Sequence, residues 1–249
     1  YSNQVSGQTP KFSGALSRTA GENVGTYAIN QGSLALVDNS PFLANNYTIA
    51  YTGANLTINA KNASTFTVTL SSTSYTYDGN AKTPTVTVKD GNTTLTLNTH
   101  YTVTYSNNIN AGTATATITG KGNYTGTKKV NFTINKRILT VKADAKSKIY
   151  GAGDPALTYT YSNQVSGQTP KFSGALSRDA GENVGTYAIK QNTLVLADNS
   201  PFLASNYTLA YTGANLTINK ANAVNPSLTA YTGTYDGAAH TIGVTGGSG

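Results

Sequence analysis

The chain has no cysteine, no methionine and no tryptophan. Without cysteine there is no disulfide, so a fold that lasts outside a cell must be held by packing alone. No run of about 18 apolar residues occurs, which leaves no transmembrane segment of the helical kind. Tyr1 follows no signal peptide, so export and anchoring signals are expected elsewhere in a longer protein. Charge is scarce too: 11% of the 249 residues are charged and 38% are hydrophobic, a balance that fits neither a membrane span nor a highly charged disordered chain. Catalysis needs convergent titratable groups, and here ten carboxylates and two histidines, His100 and His240, are scattered along the whole sequence. Neither histidine is read as having an acidic, His or Cys neighbour at metal-ligand spacing. The expectation is no catalytic residue, no cofactor, no metal and no enzyme.

What is present is threonine and serine, 41 and 20 residues, with 25 glycines and 17 tyrosines. Thr, Val, Tyr and Ile favour pleated, half-buried surfaces, and Gly with Asn supplies turns, so an all-β chain is expected. The formal charge is +7 and unevenly spread. Lys128, Lys129, Lys136, Arg137, Lys142, Lys146 and Lys148 fall in one span opposed only by Asp144. They are the candidate polyanion contact, toward anionic cell-wall polymers, extracellular DNA or lipid headgroups. A solvated face at a domain junction explains the same residues, and without interleaved aromatic residues no specific nucleic acid is implied.

The stretch YSNQVSGQTPKFSGALSR opens the chain at Tyr1 and returns at Tyr161. At an offset of 160, residues 1–59 and 161–219 differ at eight of 59 positions, leaving 51 identical. Thr19/Asp179, Asn30/Lys190, Gly32/Asn192 and Asn45/Ser205 read as polar or glycine exchanges that a surface tolerates, Ser33/Thr193 adds a methyl group, and Ile49/Leu209 keeps volume. Ala35 and Val37 become Val195 and Ala197. Residues two apart in a strand share a face, so this exchange is expected to conserve volume within one packed space. A weaker echo, Tyr77-Asp78-Gly79 and Tyr235-Asp236-Gly237, follows each copy at an offset of 158. Two kinds of unit therefore alternate, A, B, A, B, over residues 1–60, 61–136, 137–220 and 221–249. The first A is expected to lack its N-terminal strands and the last B its end.

Alternation of period two is plain in the first B unit, in TFTVTLSS, TPTVTVKD, HYTVTYSNN, GTATATITG and KKVNFTINK, with Lys89-Asp90-Gly91-Asn92 as a hairpin signal. The complete A unit offers RILTVKAD, ALTYTYSN, GTYAIKQ, NTLVLAD and NYTLAYTGANLTI, and SPFLASNY at 200–207 suits a short helical turn. Small antiparallel β-sandwich domains of the Ig-like kind, about 80 residues each, are the economical solution. The joins contain no Gly/Ser spacer, so the domains are expected to stack into an elongated rod.

ILTVKADAKSKIYGAGDPALTYTY, with its Tyr150-Gly151 and Asp154-Pro155, resembles the YGX-type MBG domain of bacterial surface proteins. YTYDGNAKTP and YSNNINAGTATATITGKGNYTGTKKVNFTI resemble the YDG-type Ig-like repeats found beside it. The resemblance implies a secreted, repetitive adhesin or stalk protein at the cell surface, with these domains as the array and neighbouring repeats as partners. It carries over no catalytic residue.

Three readings follow. The first is a stiff spacer. The second is an adhesive module for glycans or polyanions. The third is a filament subunit that self-associates by β-strand complementation, because an A unit starting at Tyr1 exposes a sheet edge. Glu22 and Glu182, the only glutamates, sit alike in AGENVGTY. A buried acid beside Lys and Asn could promote an isopeptide crosslink, and an exposed loop glutamate explains the same letters.

Overall fold

In a computed structural model the chain is all-β, and the structure describes residues 1–223, 227, 228, 230–241, 244 and 245. Among the described residues the only helical segments are three-residue 3-10 turns at Ala44–Asn46, Ala63–Thr65 and Ala204–Asn206, the last inside the expected 200–207 stretch. No helix among them is long and apolar enough to cross a membrane. The chain divides into two compact units, Tyr1–Asn135 and Lys136–Gly249.

In the first unit, β1 (Lys11–Ser13) pairs with β4 (Ala35–Val37), and β2 (Ser17–Arg18), β3 (Gly25–Asn30) and β5 (Ala54–Ile58) form a three-stranded sheet with β5 at its edge. The residues that follow build separate sheets. β6 (Lys61–Asn62) will pair with a distant strand; β7 (Thr67–Leu70), β9 (Val86–Asp90), β11 (Tyr101–Ser106), β12 (Gly112–Gly120) and β14 (Thr127–Asn135) follow the expected alternating segments, and β8 (Ser74–Thr76), β10 (Thr93–Thr94) and β13 (Tyr124–Thr125) are short strands outside them. Their orders are β10-β9-β7, β11-β12-β14-β8 and β13-β6. The hairpin falls where Gly91-Asn92 predicts it, with Thr93 opposite Asp90. Val88, Tyr101, Ala114, Ala116, Ile118, Phe132 and Ile134 are buried, one side of each alternating strand.

The second unit contains β15 (Arg137–Ala143), β16 (Lys146–Ile149), β17 (Tyr159–Ser162), β18 (Lys171–Ser173), β19 (Ser177–Arg178), β20 (Gly185–Lys190), β21 (Val195–Ala197), β22 (Tyr207–Thr212) and β23 (Ala214–Asn219). Sheets β17-β15-β22 and β16-β23-β20-β19 share one core, in which Ala143 of the first meets Ile189 and Leu216 of the second. The start of a second B unit, expected over 221–249, lies partly outside the described residues. Its β24 (Ser227–Leu228) and β25 (Val244–Thr245) pair antiparallel.

Two expectations are corrected. The sandwich was expected to be antiparallel, yet β15 runs parallel to β22 and β16 parallel to β23. β14 with β8 and β13 with β6 are parallel as well. Alternation reports which face is buried and a hairpin turn fixes its own two strands, but neither signal fixes the direction of strands far apart in sequence. The second correction concerns Val195, which is 51% exposed. Only position 35 is exposed, as Ala35 and as Val195, while Val37 and Ala197 are half-buried like Leu36 and Leu196, so the two positions do not fill one packed space. The Ala/Val exchange is therefore no core compensation.

The parallel pairing has a constant register. Arg137 lies opposite Tyr207, Lys142 opposite Thr212, Lys146 opposite Leu216 and Ile149 opposite Asn219, an offset of 70 throughout. Two long segments, 137–149 and 207–219, thus run side by side and pass from one sheet to the other together. Gly213 sits at this crossing, where a Cβ would lie 2.8 Å from the Ile189 carbonyl oxygen. The Tyr211 hydroxyl donates to that same oxygen at 2.9 Å.

Candidate functional sites

Arg178 ends β19, and the loop that follows returns into β20. Gly181 has φ +140° and rests against the Tyr187 ring, leaving no room for a Cβ. Arg178 Nη1 donates to the carbonyls of Asp179 (2.9 Å) and Gly181 (2.5 Å), and its guanidinium lies 5.4 Å from the centre of the Tyr187 ring. Nε donates to Asp154 Oδ2 at 2.7 Å, and Nη2 to Asp154 Oδ1 at 3.1 Å and to Glu182. Lys148, on β16, reaches Asp154 Oδ1 at 2.7 Å and Glu182 Oε2 at 2.5 Å with a side chain only 4% exposed. Two cations and two anions alternate around a closed clasp. An ammonium so deeply placed requires such partners.

The charges follow from this geometry. The Arg178 guanidinium, with Lys148 second, holds the Asp154 carboxyl down to about 2. Lys148 and then Arg178 lower Glu182. Asp154 first and Glu182 second raise both Lys148 and Arg178. The clasp ties the turn-rich 149–155 segment, whose Tyr150 amide bonds the Asn219 carbonyl at 2.8 Å, to the edge of the sheet. Asp154 of the Asp-Pro pair is thereby structural, whereas Tyr150 takes part through its backbone amide and its side chain is 52% exposed.

In the first copy, Arg18 repeats half of this. It donates to the carbonyls of Thr19 (3.1 Å) and Gly21 (2.7 Å), pairs with Glu22 and lies 5.7 Å from the Tyr27 ring centre. Its side chain is 33% exposed, against 11% for Arg178. The crosslink reading needs a buried acid beside Lys and Asn; Glu182 does meet Lys148, but its side chain is 65% exposed and the side chains that Lys148 Nζ bonds are the carboxylates of Asp154 and Glu182, so the clasp is ionic.

The B unit has its own clasp. Tyr77 is buried, Asp78 accepts from the Asn80 amide at 2.9 Å across Gly79, and Asp78 pairs with Lys82, whose side chain is 10% exposed. The Lys82 hydrogen bond, then the Asn80 amide, lowers the Asp78 carboxyl. Lys82 N donates to the Asn108 carbonyl at 2.7 Å, and Asn108 Nδ2 returns a bond to the Lys82 carbonyl at 2.9 Å. In the second YDG stretch His240 takes the place of Lys82, with Nε2 2.9 Å from Asp236 Oδ1 and its ring stacked on Tyr231. The acidic neighbour not credited to His240 is thus Asp236, four residues before it. His100 instead accepts from the Thr96 amide through Nδ1 at 2.9 Å. Among the described residues no three of His, Asp and Glu gather as a metal would need.

A third site joins A to B within the first unit. β5 ends at Ile58 and β6 begins at Lys61. The Lys61 amide donates to the Asn123 carbonyl at 3.0 Å, β6 pairs with β13, and Lys61 Nζ meets Asp90 Oδ1 at 2.6 Å. Asn123 then reaches across: its Oδ1 accepts from the Val24 amide at 2.9 Å and its Nδ2 donates to Asn23 Oδ1 at 2.8 Å. Sequence reasoning missed this latch because Asn23 and Asn123 are 100 residues apart.

The structure distributes the candidate polyanion contacts among several roles. Lys148 is inside its clasp. Lys128 Nζ donates to the carbonyls of Ser64 and Phe66, and Arg137 donates to the Asn163 carbonyl and Oδ1. Lys129, Lys136 and Lys142 are exposed and Lys146 is half-buried.

The sequence model of the MBG domain (YGX type) matches residues 1–57 and 139–217, just over half of the chain. No curated protein and no solved structure matches.

Proposed function

The chain belongs to the YGX-type MBG domain family, and on that footing we propose that it is a structural repeat module of a large secreted bacterial surface adhesin or extracellular fibre. It acts as a stiff spacer that holds another part of that protein away from the cell. The observation that carries this reading is the parallel pairing of first and last strands in the complete A domain. A chain that enters along one strand and leaves along its parallel neighbour enters and exits at opposite ends of the domain. The paired segments are 13 residues long, on the order of 40 Å of extended chain. The join from A to B leaves two residues between strands and is fastened by Asn23, Val24 and Asn123. Its side chains serve packing, and the module is read as non-catalytic, since the deepest charged cluster is neutralised internally.

Small-angle scattering on chains of one, two and three A–B pairs tests this. A stiff array lengthens in equal steps, whereas a flexible one grows roughly as the square root of length. A glycan array and a salt-titrated polyanion assay on one complete pair are expected to be silent. Saturable binding in either would transfer the function to the adhesive reading. The filament reading names self-association by β-strand complementation as the alternative. A chain that stays monomeric at every concentration would count against it.

A further inference from the structure

We propose that the Asp154–Pro155 peptide bond is a latent self-cleavage site, that the clasp around Asp154 keeps it closed, and that the domain stays assembled once the bond is cut. It is the one Asp-Pro bond in the 249 residues. An aspartic acid side chain can close a five-membered ring by attacking its own backbone carbonyl. Proline is the neighbour that leaves most readily, because the nitrogen of its tertiary amide is more basic than an ordinary peptide nitrogen. Gly151 to Asp154 are exposed and Pro155 is half-buried, so water and protons reach the bond.

The reaction consumes one water and needs no cofactor. In the acid form, an Asp154 carboxyl oxygen bonds to the Asp154 carbonyl carbon, the bond from that carbon to the Pro155 nitrogen breaks, and the carboxyl proton passes to the nitrogen. Water then opens the cyclic anhydride, leaving Asp154 with a free α-carboxyl group and Pro155 with a free secondary amine. Each chain reacts once, so this is self-processing and not turnover.

The clasp withholds both the oxygen and the proton. Lys148 on β16 holds Asp154 Oδ1 at 2.7 Å. Arg178 at the end of β19 holds Oδ2 through Nε at 2.7 Å and Oδ1 through Nη2 at 3.1 Å. Three bonds on two oxygens tether the carboxylate, which must leave its cations before it can reach its own carbonyl carbon. The remaining charged group of the clasp, Glu182 in the loop after β19, bonds the same two cations. The Arg178 guanidinium first and Lys148 second hold the Asp154 carboxyl down to about 2, so mild acid supplies little of the reactive form.

A cut here leaves the fold joined. β15 and β16 precede the bond, and β17 to β23 follow it. β15 pairs with both β17 and β22, and β16 pairs with β23. Leu139, Val141 and Ala143 of β15 are buried, and Ala143 packs with Ile189 and Leu216 from beyond the cut. Acid thereby turns a covalent joint into one that force or denaturant can part.

The test holds the intact chain at about pH 3, between the folded value of Asp154 and the ordinary value of about 3.9, and follows it by mass spectrometry. The expected products are residues 1–154 and 155–249, with masses that sum to the parent plus one water. At that pH a carboxyl titrating at about 2 is roughly one-tenth in the acid form, and one at about 3.9 roughly nine-tenths. Arg178→Lys, which keeps the charge but loses the paired bonds to both oxygens, is therefore expected to cut faster than the parent while still folded by amide exchange, up to about tenfold. Unfolding the parent in urea at the same pH is expected to release the full rate without any substitution. Asp154→Asn and Pro155→Ala are each expected to abolish this cut on the same timescale, in urea as well. The cut parent is expected to elute as one species in native buffer and as two in denaturant. Equal rates for the folded parent, folded Arg178→Lys and the urea-unfolded parent would overturn the guarding role of the clasp. Earlier cleavage at another bond would overturn the site, and halves that separate without denaturant would overturn the assembled nick.

Discussion

A stretch of 59 residues occurs twice in this chain, 51 of them identical, once with a parallel partner strand and once without. The difference separates what a repeat encodes locally from what it borrows. Local features survive in both: the paired ribbons β1–β4 and β18–β21, the stacked Phe42–Tyr47 and Phe202–Tyr207 rings, and the buried Phe42 and Phe202. Features that depend on the partner change. Leu216, Ile218 and Ile189 are buried where Leu56, Ile58 and Ile29 are not, and Asn206 is buried where Asn46 is exposed. A few differences of sequence add to this. Asp179 and Lys190 replace Thr19 and Asn30 together and form an ion pair, which couples the two exchanges. Asn192 replaces Gly32 at a left-handed position, φ +50° and +61°, which asparagine tolerates best after glycine.

The largest way to break the comparison is to delete the same side chain in each copy. Leu216→Ala should destabilise the second unit by about 2–5 kcal/mol, and Leu56→Ala should cost less than about 1 kcal/mol, read by denaturant unfolding. Next comes the clasp. Glu182→Gln is expected to lower the melting temperature of the second unit by several degrees, while Glu22→Gln, on a half-formed clasp, barely moves the first. The pH dependence has a definite sign. Asp154 and Glu182 titrate lower folded than unfolded, so their contribution is full above about pH 4. It is lost as pH falls toward about 2, the folded value of Asp154. Acid unfolding of Glu182→Gln should therefore begin at higher pH than that of the parent. Asn123→Ala should cost about 1–2 kcal/mol and speed amide exchange at Val24, sharpening the contribution of the latch. The smallest effect is expected from converting Asp179 and Lys190 to Thr and Asn, about 0.5 kcal/mol or less for so exposed a pair.

Much of the architecture was legible in the sequence because alternation and turn residues are local signals. GTATATITG is β12 to the residue, and Asp90-Gly91 closes its hairpin. Direction was not legible, since Arg137 and Tyr207 become neighbours only through the whole domain between them. The clasp was half legible. Asp154 stood out beside Pro155 and Glu182 beside its copy, but nothing in one dimension links Lys148 to either. The Val195 reading failed for a related reason: periodicity tells which residues share a face and not whether that face is covered.

The common register of segments 137–149 and 207–219 has a mechanical consequence. If the two ends of the complete A domain are pulled apart, parallel neighbours must slide past one another, and the evenly spaced bonds between them share the load at once. A hairpin pulled at its open end would instead unzip one bond at a time. Single-molecule stretching should accordingly find this domain stiffer along its own axis than its modest size suggests, and pulling instead through the directly opposed Lys171 and Ala197 of the β18–β21 ribbon should peel that ribbon at much lower force.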